Sequence, residues 1–162
     1  MKLAYAERWA RRFGKAIDPI DKEAAKQLHD DRMPYCSVIY SEQEPVYVVE
    51  LNGAYVNVIF LDDQQRNYLE YEFQELEPGR IFFKQSRFHR FAPDGRLPLT
   101  VELCQFNPEG SFFMVRADYS AKTRSKSDTS TFDPAPNWEK YPQFTRYGAL
   151  LVKEREVSSA LP

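Results

Sequence analysis

The chain is poor in the residues from which most catalytic and cofactor sites are built: two histidines, two cysteines and six glycines in 162 residues. Its glycines are scattered through turns, so no glycine-rich loop is available to cradle a phosphate. Cys36 and Cys104 stand alone rather than in a C-x-x-C pair, which speaks against zinc and redox motifs and leaves two buried thiols, or a bridge between them, as the readings. His29 and His89 belong to neither an H-E-x-x-H nor a G-x-S-x-G pattern, so no metal or nucleophile spacing is present. Long apolar runs are missing too. Nothing approaches the roughly 18 residues that span a bilayer, and the opening MKLAYAERWARRFGK lacks the apolar core of about 7 to 15 residues that marks a secretory signal. The expectation is a cytoplasmic protein without a membrane partner. The net charge of -2 gives no overall attraction to nucleic acid either.

What the chain has in quantity is aromatic residues, 15%, beside 28% charged residues. Large rings must then supply much of a core that about 150 residues can bury as a single domain. From Tyr35 to Tyr119 the sequence reads as a series of short strands separated by clear turns at Glu44-Pro45, Asn52-Gly53, Pro78-Gly79, Asp94-Gly95 and Pro108-Glu109-Gly110. Strands are expected over 35–40, 45–51, 54–61, 67–74, 80–91, 98–106 and 111–119, with a bulge or bend near Gln85-Ser86-Arg87, where the alternation slips. Leu69, Tyr71 and Phe73 should point inward, and Tyr68, Glu70, Glu72 and Gln74 outward. In the last two strands, alternation runs through Leu99, Val101 and Leu103, then Phe113, Val115 and Tyr119. Residues 120–137 are polar and contain proline, the pattern of a long mobile loop. Beyond it, Trp138, Tyr141, Phe144 and Tyr147 suggest an aromatic clasp returning to the sheet, with a short helix over 148–156 and a frayed tail from Ser158.

Tyr5, Trp9 and Phe13 recur every four residues, which predicts an amphipathic helix over 2–13 stopped by Gly14. Asp18-Pro19 suits the start of a second helix, with Ile20, Ala24 and Leu28 as its apolar stripe and an end near Met33-Pro34. The expected class is therefore α+β: two N-terminal helices packed on a bent, mainly antiparallel sheet of about seven strands, with a partly open barrel as a variant.

Charge is distributed unevenly. Between Ser41 and Gly79, nine acidic residues, including Asp62, Asp63, Glu70, Glu72, Glu75 and Glu77, face Arg66 alone. From Arg80 to Arg96, five bases face Asp94 alone. Cross-strand pairing within the fold is one reading of this contrast, and an acidic patch for a basic protein partner is the other. Lys122, Arg124 and Lys126 add a basic segment, too few charges for nucleic-acid binding. His89 with a carboxylate is the candidate for a small hydrolase or transferase; Glu70 with Glu72 is the candidate acid/base or metal pair, with solvated charges as the plainer reading.

Several stretches together carry a resemblance: W-A-R-R-F-G at 9–14, R-M-P-Y-C-S-V-I-Y at 32–40, Y-L-E-Y-E-F-Q-E-L-E-P-G-R-I-F-F at 68–83, F-N-P-E-G-S-F at 106–112 and N-W-E-K-Y-P-Q-F at 137–144. The arrangement resembles small cytoplasmic immunity proteins encoded beside bacterial polymorphic toxins of Rhs, type VI or contact-dependent systems. The resemblance implies a protein without catalytic residues, cofactor or metal. It would bind a cognate toxin domain and occlude its active site or substrate channel, and would be a monomer when free. An acidic patch would match a toxin with a basic cleft, with Asp62, Asp63, Tyr68, Glu70, Glu72, Glu75, Glu77, Lys122, Arg124 and Lys126 as the expected contacts. A ligand-binding barrel is the alternative.

Overall fold

The computed structural model describes residues 1–153 and residue 155 of the chain. Strand β1 (Lys2–Ala10) pairs with β2 (Lys15–Ile20), and helix α1 (Lys22–Asp30) follows. An antiparallel meander comes next: β3 (Tyr35–Ser41), β4 (Glu44–Asn52), β5 (Tyr55–Leu61), β6 (Asn67–Glu77), β7 (Arg80–Phe91), β8 (Pro98–Asn107) and β9 (Ser111–Asp118). Strands β10 (Thr123–Lys126) and β11 (Ser130–Thr131) both pair with β9, and β12 (Trp138–Lys140) pairs with β7. Across the sheet the order is β10-β9-β8-β7-β6-β5-β4-β3-β1-β2, so among the described residues the ladder is open and the barrel variant does not hold.

The expected pair of N-terminal helices is also overturned: twelve strands and a single α-helix form the described chain, in place of two helices on about seven strands. Tyr5 and Ala6 are neighbours in sequence and both are buried, one on each face of β1. A strand buried on both faces loses its period of two, and the chance spacing of Tyr5, Trp9 and Phe13 then mimics a helix. Asp18 and Pro19 lie in β2, with Asp18 at φ 55°. The helix starts one turn later, where Asp21 caps it by accepting from the Ala24 backbone N–H at 2.7 Å.

Within the meander, all seven expected strands are present. Pro78 and Gly79 form a two-residue turn joining the paired Glu77 and Arg80, with Gly79 at φ 73°, a left-handed conformation that glycine adopts without strain. The slip in β7 is a bulge: Phe73 faces Phe83 while Glu72 faces Gln85, so Lys84 is the extra residue. The expected mobile loop 120–137 is largely ordered as β10, β11 and a 3-10 turn at Ala135–Asn137.

At the bulge β7 exchanges partners on one edge. Strand β8 pairs with Gln85–Phe91, whereas β12 pairs with Arg80–Phe82. Between them lies the Phe83 carbonyl, which accepts from the buried Asn137 Nδ2 at 3.1 Å. A side chain thus completes the ladder where neither strand reaches.

One face of the sheet, here called inner, carries a continuous run of rings. Phe60 meets Tyr71 and Tyr71 meets Phe83 edge to face, each at 4.9 Å, and the series continues through Phe106 to Phe112 and Phe132. Such contacts contribute about 0.5–1.5 kcal/mol each beyond burial. Helix α1 and the C-terminal segment cover this face. Phe144 stacks on Tyr5 at 5.5 Å, and the Tyr141 hydroxyl donates to the Gly53 carbonyl at 3.1 Å. Buried Tyr147 bonds Tyr35 and Ser37, at 3.1 and 2.9 Å. A 3-10 turn at Gly148–Leu150 stands where the short helix was expected; Glu154 and residues 156–162, and with them the end of that helix and the tail, lie outside the described residues.

Replacing Asn137 by leucine strands the Phe83 carbonyl in an apolar site. The expected loss is about 1–3 kcal/mol, read as a melting temperature lower by roughly 2–4 °C for each kcal/mol. An unchanged melting curve would show that the carbonyl finds another donor.

Candidate functional site

The expected acidic contacts fall at separate places and are largely engaged within the fold. Glu70 and Glu72 lie on the outer face of β6. Glu70 is held by Arg11 Nε at 3.0 Å, by Arg87 Nη1 at 3.4 Å and by the Asn67 carboxamide. Arg11 also binds Glu50, at 2.6 Å. Asp62 caps the β5–β6 turn, accepting from the backbone N–H of Gln64 and Arg66 and from Arg66 Nε at 2.8 Å. Burial alone would raise its pKa, but these hydrogen bonds and the Arg66 charge hold its carboxyl below the usual range. Asp63 beside it is exposed.

At the other end of β6, roughly 30 Å away at about 3.3 Å per residue, Glu75 pairs with Arg32 and accepts the Gly79 N–H, and Glu77 pairs with Arg80. Tyr68 does not stand outward with Glu70 and Glu72. A register shift between Phe60 and Leu61 makes it the extra residue of a bulge, and its ring packs inward on Phe60 and Phe88. Lys122, Arg124 and Lys126 sit four strands away at the β10 edge. Of the two readings of the charge contrast, pairing within the fold describes most of these carboxylates. Two of the arginines responsible, Arg11 and Arg32, come from the N-terminal region rather than from β7.

The other candidates separate in the same way. Cys36 and Cys104 are both buried and lie five strands apart, too far for a bridge to each other. Burial, with the nearby Glu50 charge, pushes the Cys36 thiol up to about 12, so it is inert at neutral pH. Among the described residues no group of three or more His, Cys, Asp and Glu side chains is placed to hold a metal ion. His89 Nδ1 lies 2.9 Å from the Asn67 carbonyl, which can only accept. The ring is therefore oriented by a backbone carbonyl rather than by a carboxylate.

What the fold does assemble is an uncovered apolar strip. The outer face is protected only at one end. Strand β1 pairs with β3 through Ala6 and then, with β2, crosses over this face, setting Trp9 and Ala16 onto Val38, Val48, Ile59 and Leu61. Arg11, on the connecting turn, reaches β6. Beyond β6 no described element covers the outer face. Strand alternation and register place Leu99, Val101 and Leu103 of β8 beside Phe113, Val115 and Ala117 of β9, with Tyr119 just past its end. Leu99 is 42% and Tyr119 58% exposed, and the others are half-buried. The inward positions are held instead by Thr100, Cys104, Phe106 and Phe112.

A groove of about 430 Å³ runs over Val101, Leu103, Val115 and Ala117. Arg124 and Lys126 stand opposite Ala117 and Val115, Lys122 lines the same groove, and Lys126 Nζ lies 4.2 Å from the centre of the Phe113 ring. None of the three bases has an ion-pair partner among the described residues. An apolar floor rimmed by Lys122 and Arg124, with Asp118 at its margin, can bury a partner's side chains and favour acidic groups around them. Sequence alternation finds this strip but not the face on which it lies. The missed signal is that Cys104, Phe106, Phe112 and Met114, on the opposite parity, are equally apolar.

Both histidines have depressed pKa values, in each case chiefly because burial disfavours the charged ring. His29 Nδ1 is 2.9 Å from the Tyr35 hydroxyl, and one proton order satisfies the whole cluster: Ser37 donates to Tyr147, Tyr147 to Tyr35 and Tyr35 to neutral His29. A depressed histidine contributes stability above its unfolded pKa, near 6.5, that is lost as pH falls through the folded value. Urea unfolding should therefore show lower stability at pH 5.5 than at pH 7.5. His89→Asn, which keeps a donor for Asn67, should shrink that difference and leave the His29 share. A difference unchanged in this variant would contradict the assignment.

Comparison of the chain with protein-family models, with curated proteins and with solved structures found no match.

Proposed function

We propose that the protein acts by binding, as an immunity protein that neutralises a cognate bacterial toxin domain by covering its active site or substrate channel. The observation that carries this reading is the strip on the outer face of β8 and β9, an apolar area that no described element covers and whose flanking cations Lys122, Arg124 and Lys126 have no ion-pair partner among the described residues. The resemblance in residues 9–14, 32–40, 68–83, 106–112 and 137–144 supplies the kind of partner. A cytoplasmic location accords with it, and no described helix is long and apolar enough to cross a membrane. The alternative of a ligand-binding barrel loses its basis in an open ladder whose inner face is filled by rings.

The partner's chemistry follows from the rim. Most acids once assigned to a basic cleft are engaged by Arg11, Arg32, Arg66, Arg80 and Arg87. The matching toxin surface therefore presents apolar anchors flanked by carboxylates at Lys122, Arg124 and Lys126. Asp63 and Glu72 are available for a basic group at the margin. An interface of standard size, about 1,600 Å² in total, extends past the groove onto these neighbours.

Co-expression with the toxin domain encoded in the adjacent reading frame tests the reading. The two proteins should co-purify, and cells should survive a toxin that otherwise arrests them. Leu99→Lys with Tyr119→Lys changes two exposed positions and should weaken the complex at least about tenfold. Reversing Lys122, Arg124 and Lys126 to glutamate should slow association and remove its salt dependence. Absence of complex and of protection defeats the immunity reading; a complex indifferent to both sets of substitutions defeats the β8–β9 interface.

A further inference from the structure

A second concavity lies at the opposite margin of the open outer face, where the β1–β2 turn leans on the β5–β6 turn. Their approach is close: a Cβ on Gly14, which has φ 57°, would lie 3.0 Å from the Gln65 carbonyl oxygen. Together with the loop between β7 and β8, these turns enclose a cleft of about 610 Å³. That volume is within the range of small-molecule sites, about 300–1,000 Å³.

Among the described residues, four arginines and no carboxylate line the cleft. Two are committed elsewhere: Arg11 to Glu50 and Glu70, and Arg66 to Asp62 and the carbonyls of Ala92 and Gly95. Arg12 and Arg96 are exposed and have no ion-pair partner among the described residues. Arg96 gives one N–H to the Gln64 carbonyl at 3.2 Å, and Arg12 lies 5.9 Å from the Phe13 ring centre. Phe13 is itself 69% exposed, with Lys15 Nζ also 5.9 Å from its ring centre, and offers a face on which a planar group can stack.

The cleft wall also contains acceptors without donors. Gln65 Oε1 and Asn67 Oδ1 are buried with no hydrogen-bond partner, and their amide nitrogens are already given to Glu44 and Glu70, which fixes the orientation of both groups. His89 donates through Nδ1 to the Asn67 carbonyl, so its Nε2 carries a lone pair. Two exposed guanidinium groups, an exposed ring and His89 thus line one cleft, with the oxygens of Gln65 and Asn67 buried in its wall.

Inorganic anions would answer only the guanidinium groups, and an uncharged aromatic only the ring. A nucleic acid strand would run onto Glu50, Glu70 and Asp62 beside the cleft. We propose that this cleft binds a free nucleoside phosphate, with the phosphate on Arg12 and Arg96, the base on Phe13, and a base or sugar donor turned toward His89. Charge-assisted bonds and base–ring stacking are each strong enough to be read separately.

Calorimetric titration of the full chain with AMP, ATP, adenosine, inorganic phosphate and a ten-nucleotide single strand tests the assignment. AMP or ATP should bind one to one, at least about tenfold more tightly than adenosine or phosphate, a factor of ten being about 1.4 kcal/mol. Arg12→Ala with Arg96→Ala should weaken that binding at least about tenfold at an unchanged melting temperature, and Phe13→Ala should weaken it while sparing phosphate. Four results would overturn the proposal: no saturable binding, phosphate bound as well as AMP, the strand bound more tightly than ATP, or indifference to the double substitution.

Discussion

The backbone of β7 is the constraint on which the rest of the structure depends. Its twelve residues need partners on both edges, yet the bulge at Lys84 turns the strand so that β8 can follow only its second half. Leaving Arg80–Phe83 unpaired in the apolar interior would expose several desolvated carbonyl and N–H groups at once. The chain satisfies them by returning from a distance: β12 supplies a second half-edge and Asn137 the remaining donor. That return draws in Tyr141 and Tyr147, which fasten the C-terminal segment to β3 and the β4–β5 turn. Tyr147 and Tyr35 are 112 positions apart, so the clasp is one of the long-range contacts that close the fold.

This arrangement also makes the two faces of the sheet unlike one another. The returning segment and α1 are both used on the inner face, where the rings lie. For the outer face only the β1–β2 hairpin remains, and it ends over β6 at Arg11. The open strip on β8–β9 and the cleft beside the β5–β6 turn lie on either side of what this short cover can reach. Neither is formed by a motif. Each results from the place where protection stops.

The sequence showed the meander well because its turns are written in glycine, proline and asparagine, and because β6 has one wet face that keeps its alternation clean. It misled wherever both faces are apolar. Tyr5 and Ala6, buried on opposite sides of β1, erased the period of two and let a spacing of four suggest a helix. In β8 and β9 the strip was visible as alternation, but nothing local tells Leu103 from Cys104 as the residue that faces the core; only the neighbours across the sheet decide. Residues 120–137 looked mobile because polar composition does not distinguish a loop from a two-sided edge strand. The acidic excess was legible as a number but not as a surface, since Arg11 and Arg32 come to Glu50, Glu70 and Glu75 from 39 to 59 positions away. The cleft could not be read at all, because its walls come from three turns whose meeting is purely tertiary.

An open ladder of ten strands has two free rims, and each rim is a template on which another copy could add. The chain disarms both by composition. Strand β2 carries Pro19, which has no N–H to offer, and Asp18 in a left-handed conformation that breaks the regular spacing of donors. Strand β10 is four residues long, fully exposed and half basic, so a second copy would approach it against like charge. The broad sheet therefore ends itself, and its unpaired apolar strip lies on a face rather than along an edge, where recognition depends on side chains and not on indiscriminate backbone pairing.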